Sequence, residues 1–106
     1  MSEITRGSGN VFADLGFEDA EEMAVRAKLT LRIYHILKDR KLKQKEAAAI
    51  LELAQPDVSA LMNGKFNDFS IDRLLRLLSR LDQVVTIQIK AKPKKRAHGG
   101  IEVLAA

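Results

Sequence analysis

The stretch EAAAILELAQPDVSALMNG, Glu46 to Gly64, constrains this chain more than any other. Two short helical patterns meet there with almost nothing between them. Helices that cross steeply through a three-residue turn impose steric demands. The residue of the first helix that faces the second must be small, as Ala48 is, and Ala47 beside it faces the core. Apolar side chains must fill the wedge, and Leu51, Leu53, Val58 and Leu61 fall at the required positions. The residue after Leu51 should take a left-handed conformation, which glycine adopts at little cost. Glu52 stands there instead, at a penalty of roughly 1 kcal/mol. One unfavourable residue among several favourable ones leaves the motif standing. A DNA-reading helix-turn-helix and two helices of an ordinary bundle both remain open.

The chain has 106 residues, 46% hydrophobic and 30% charged, which allows one small domain with a modest core. No apolar run approaches the roughly 18 residues of a membrane span. The opening MSEITRGSGN has neither the basic start nor the apolar stretch of a secretion signal. Without cysteine there is no disulfide framework and no thiolate metal site. A cytoplasmic protein without membrane contact is therefore expected. Charge is unevenly spread: residues 1–30 carry six acids against three bases, and residues 31–65 carry seven bases against four acids. Residues 66–106 carry eight bases against four acids. A basic later part suits a polyanion, although a solvated charged surface has the same composition.

Residues 1–10 are polar and Gly/Ser-rich and read as a flexible N-terminal segment. VFADLGF (11–17) is apolar enough to pack onto the body as a short turn or helix. In DAEE, Asp19 and Glu22 have the spacing of a capping box. From Ala20 to about Arg40 the period is helical, with Met23, Ala27, Leu31 and Tyr34 as its stripe, joined by Ile33, Ile36 and Leu37. Leu42 marks a break. A second helix is predicted over Gln44–Leu51 and a third over Gln55–Asn63, with Gly64 as its stop. GKFNDF reads as a loop with Phe66 and Phe69 turned inward. Ser70 caps a fourth helix over Ile71–Leu81, leucine-rich on one side and lined by Arg73, Arg76 and Arg80 on the other. VVTIQIK then changes the period from 3.6 to 2, which predicts a half-buried strand carrying Val85, Ile87 and Ile89 on one face. Residues 92–106, with Lys92, Lys94, Lys95 and Arg96, read as a basic disordered tail.

The run LKQKEAAAILELAQPDVSALMNGK, Leu42–Lys65, resembles the helix-turn-helix of the XRE/Cro-like (phage-repressor-like) family. That family's usual pattern is L-T-Q-x-x-A-A-x-x-L-G-I-S-Q-P-x-V-S-x-L-x-N-G-K. The flanks GNVFADLGFEDAEEMAVRAKL and FNDFSIDRLLRLLSRLDQVVTIQIK are similar to the subgroup of small regulators that includes HigA-like antitoxins. The resemblance covers residues 9–91 and places the domain at 11–91. Lys43, Glu52 and Ala54 depart from the pattern, and Ala54 lacks a capping oxygen, a loss of about 1 kcal/mol. The implied fold is mainly α: a lambda-repressor-like bundle of four to five helices with one C-terminal β-strand paired across a dimer.

The resemblance also implies where DNA would sit. Helix three would lie in the major groove, with Gln55 reading adenine through its amide. Ser59 would reach a base or a phosphate, and Ala60 would offer a methyl to thymine. Asp57 would serve as a helix-start anion or accept from cytosine N4. Gln44 would clamp a phosphate together with the free amides of helix two, assisted by Lys43 and Lys45. Asn63 and Lys65 would add phosphate contacts, although Asn63-Gly64 is equally a simple cap. His35 and His98 lie far apart in sequence, and no catalytic or metal-ligating constellation stands out, so neither enzymatic activity nor a cofactor is expected.

The function implied is a repressor acting as a homodimer on a palindromic operator. The subgroup resemblance implies an antitoxin that neutralises a small basic ribonuclease toxin of the HigB/RelE type and represses their shared operon. A free-standing phage-type repressor and a toxin-neutralising protein with little DNA affinity are the alternatives.

Overall fold

A computed structural model describes residues 19–94 and 99–104. The expectations for the N-terminal segment, for VFADLGF and for Lys95, Arg96 and His98 lie outside these residues. Among these described residues four helices follow one another: α1 (Asp19–Asp39), α2 (Gln44–Leu51), α3 (Gln55–Met62) and α4 (Ile71–Arg80). Long α1 packs mainly against α4, and α2 against α3. Contacts of α3 with α1 and of α2 with α4 close the bundle.

The core follows from the apolar spacing of each helix. Val58 and Leu61 of α3 and Ala47 and Leu51 of α2 are buried, as the steric argument at the joint requires. Ala48 and Leu53 pack at its margin. Leu74, Leu77 and Leu78 form the buried side of α4, and Leu81 just beyond it is fully buried. Phe69 sits in the core, while Phe66 is half-buried. Ser70 caps α4 by accepting from the Arg73 amide at 3.1 Å.

Helix α1 buries the expected Ile33, Ile36 and Leu37 but turns much of the expected main stripe outward. Val25, Leu29, Ile33, Ile36 and Leu37 face the core, whereas Met23 and Leu31 are about half exposed, at 50% and 53%. The helix carries two apolar stripes, and spacing alone does not say which one meets α4. The outer stripe instead borders a shallow apolar groove shared with Leu61, Met62 and Phe66. Asp19 is the first residue of α1, and Glu22 accepts from the Arg26 guanidinium one turn later at 2.9 Å.

All four helices end in the same way. A left-handed residue closes each one: Lys41 (φ 54°), Glu52 (φ 55°), Gly64 (φ 73°) and Asp82 (φ 63°). In each case the next amide donates to a carbonyl five residues back: Leu42 to Leu37, Leu53 to Ala48, Lys65 to Ala60 and Gln83 to Leu78. This bond satisfies one of the carbonyls that a helix end leaves free. Only one of the four stops is a glycine.

The strand expected over Val84–Lys90 is not formed, and no strand occurs among the described residues. A strand exists through its ladder, and the described chain offers these residues no second strand. Val85, Ile87 and Ile89 are 39%, 73% and 91% exposed. Farther along, Val103 packs against the core margin, so the tail touches the body at that point.

Candidate nucleic-acid interface

The candidate interface begins at the start of α2. Glu46 accepts from the Lys43 amide at 2.9 Å, which fixes the helix entry. That contact leaves Gln44, at the first helical position, with its side chain exposed. Lys43 and Lys45 beside it are also exposed. The first amides of α2 have no acceptor within the helix and point out of its end, where the dipole favours an anion.

The turn into α3 is set by Glu52, whose amide, like that of Leu53, donates to the Ala48 carbonyl. The side chain of Glu52 is not idle: it forms an ion pair with Arg80 of α4. The sequence shows the backbone penalty at this position but not the partner, which lies 28 residues away. Ala54 begins α3 without a side-chain cap, as expected, and its carbonyl takes the amides of Asp57 and Val58. Gln55, exposed at the first position of α3, makes no side-chain hydrogen bond among the described residues, and neither does Gln44. Both amides are free to meet a ligand.

Along α3 three of the other expected contact residues, Asp57, Ser59 and Asn63, have partners within the protein. Asp57 is half-buried and pairs with Arg73 at 3.7 Å. Asn63 turns its amide back onto its own helix, donating to the Ser59 carbonyl at 2.9 Å and approaching the Ser59 hydroxyl at 3.4 Å. It therefore caps α3, as the plainer reading had it, with its side-chain oxygen still open. The Ala60 methyl is half-buried, and Lys65, just past Gly64, is exposed. Two arginines have contacts that the sequence did not indicate. Arg40 donates to the Leu81 carbonyl at 2.6 Å and lies 4.0 Å from Asp82, tying the ends of α1 and α4 together. Arg73 stands with its guanidinium 4.5 Å from the centre of the Phe69 ring. The place of Arg73 in the arginine stripe of α4 was legible, but its partners and those of Arg40 were not. His35 is exposed and leans against Tyr34 at 5.7 Å.

A family model described as a helix-turn-helix domain matches residues 11–90. The chain belongs to the helix-turn-helix domain family. A solved structure named "Putative XRE Family Transcriptional Regulator" is 44% identical to it, with a TM-score of 0.80. The match covers 84% of this chain and all of that one. No curated protein matches. The helix-turn-helix pair is α2 and α3, and the XRE-type resemblance carried by Leu42–Lys65 agrees with the solved relative. Among the described residues no helix is long and apolar enough to cross a membrane.

Proposed function

We propose that this helix-turn-helix protein is a sequence-specific DNA-binding transcriptional repressor. The observation that carries the reading is the pair of free glutamine amides, Gln44 and Gln55, each exposed at the first position of its helix. Gln55 reads adenine in the major groove, and Gln44 clamps a phosphate with the α2 amides. Lys43, Lys45, Asn63 and Lys65 supply further backbone contacts, with Ser59 and Ala60 alongside Gln55. Fluorescence anisotropy with a duplex from upstream of its own gene tests this. Wild-type affinity should fall steeply with salt as counterions are released. Gln55→Ala should relax base preference, and Gln44→Ala should weaken all sequences alike. Equal losses on specific and random duplexes for both variants would refute these roles.

The protein acts as a homodimer on a palindromic site, because one helix-turn-helix contacts too few base pairs to be selective. The pairing element is Val84–Lys90, which forms an antiparallel ladder with the same segment of a second copy and covers Val85, Ile87 and Ile89. Their exposure in the single chain supports this. In its finer form the reading is an antitoxin of the HigA-like subgroup, supported by the resemblance of residues 9–91. The acidic early part of the chain then contributes to the surface for a small basic ribonuclease toxin. Exposed Met23, beside half-buried Glu21, suits such a surface, while buried Glu22 is already paired with Arg26. A basic protein encoded next to this gene is the partner to test by calorimetry. Deleting residues 1–18 should weaken that binding and spare DNA binding, and unchanged toxin affinity would remove the idea. A free-standing repressor is the alternative if no such neighbour exists.

A further inference from the structure

The three arginines of α4 are deployed unequally. Arg76 pairs with Asp72 one turn earlier on the same helix at 3.2 Å, and both side chains are about three-quarters exposed. Arg80 is tied to Glu52 at the α2–α3 turn. Arg73 alone reaches the first turn of α3, where it meets Asp57 through a single 3.7 Å approach. Its guanidinium rests on Phe69, a ring only 1% exposed and fixed in the core. A cation held over an aromatic face and tethered at one nitrogen keeps its direction but leaves most of its donors open. Its side chain remains 42% exposed. A flexible surface lysine would lose more side-chain freedom on meeting an anion than this aimed fork does.

We infer that Arg73 is a DNA-phosphate contact, aimed by Phe69 and Asp57 at the strand flanking α3. The inference rests on the DNA-binding reading above. It also assigns Asp57 a role. A bare carboxylate in the first turn of α3 would repel phosphates, whereas the Asp57–Arg73 pair presents no net charge until a phosphate draws the guanidinium toward it. Asp57 thus holds the arginine in place and does not read cytosine.

The test is the salt dependence of binding, measured by anisotropy on the upstream duplex and on a random duplex, with circular dichroism confirming that each variant folds. Arg73→Gln should lower affinity about tenfold on both duplexes and reduce the salt slope by about 0.9 per bound protomer. Arg73→Lys should restore the slope, because it restores the charge. Arg76→Gln, which removes an equal charge from the same helix, should leave the slope at the wild-type value. Asp57→Asn should leave the ratio of specific to random affinity unchanged. An Arg73→Gln slope equal to that of the wild type overturns the inference, as does an equal fall for Arg76→Gln. A wild type with no salt-dependent binding would instead strike at the DNA-binding reading itself.

Discussion

The face built by α2 and α3 and the segment Val84–Lys90 lie on opposite sides of α4 in sequence, and both meet solvent. The first is polar and held from below. Gln44 and Gln55 stand on helices whose other sides, Ala47, Leu51, Val58 and Leu61, are at most 1% exposed. The second holds apolar side chains in the open: Val84 and Ile89 are more than 90% exposed and Ile87 73%. A surface that reads a ligand needs its side chains pre-positioned, and the bundle supplies that at α2 and α3. A segment able to form a strand but left without a ladder keeps an open edge, which is what the proposed pairing with a second copy would use. The difference separates a surface set by the bundle from a segment that the bundle leaves open.

The sharpest way to break this contrast is at the support of the first surface. Phe69→Ala removes a fully buried ring beneath α4 and the platform of Arg73. It should destabilise the protein by about 3–5 kcal/mol in urea unfolding. A loss under about 1 kcal/mol would show that the bundle does not depend on this packing. The second surface should respond in assembly and not in folding. Ile87→Lys should give a monomer in sedimentation with a large loss of operator affinity and little change in the stability of the helical bundle. A variant that stays dimeric would remove the proposed ladder. Helix ends give the smallest effects. Gly64→Ala should destabilise by about 1 kcal/mol, because φ there is +73° although nothing crowds the added methyl. Glu52→Gly relieves the same backbone strain but loses an exposed ion pair worth at most about 1 kcal/mol. It should therefore leave stability within about 1 kcal/mol of the wild type. A larger loss would show that Arg80 holds the turn more firmly than an exposed pair normally does.

Much of the bundle is legible in the sequence because its signals are local. Helix α2 has its predicted limits, α3 and α4 end within one residue of theirs, and Ser70 caps as its position suggests. The wedge residues at the joint are set by sterics that a sequence pattern exposes directly. The failures arise where the deciding partner is remote. Met23 and Leu31 form a sound helical stripe, yet burial went to Val25 and Leu29 because α4 lies on that side. Lys41 and Asp82 give no compositional sign of a left-handed stop. The carboxylate partners of Arg40, Arg73 and Arg80 are 16 or more residues distant, beyond any spacing rule. For the candidate site, residue types and helix positions were readable, and the side-chain pairing of Asp57 and Asn63 was not. Val84–Lys90 shows a further limit: alternation marks a segment able to form a strand, while a ladder requires a partner that the described chain lacks.

Amide chemical-shift mapping during titration with the upstream duplex addresses the central claim, that the α2–α3 face is the one that meets DNA. Perturbations should concentrate at Lys43–Lys45 and along Gln55–Lys65, with a further group around Ser70–Arg73, and Val84–Lys90 should remain close to its DNA-free position. Shifts centred on Val84–Lys90 or on the outer stripe of α1, with Gln44 and Gln55 unmoved, would contradict the account.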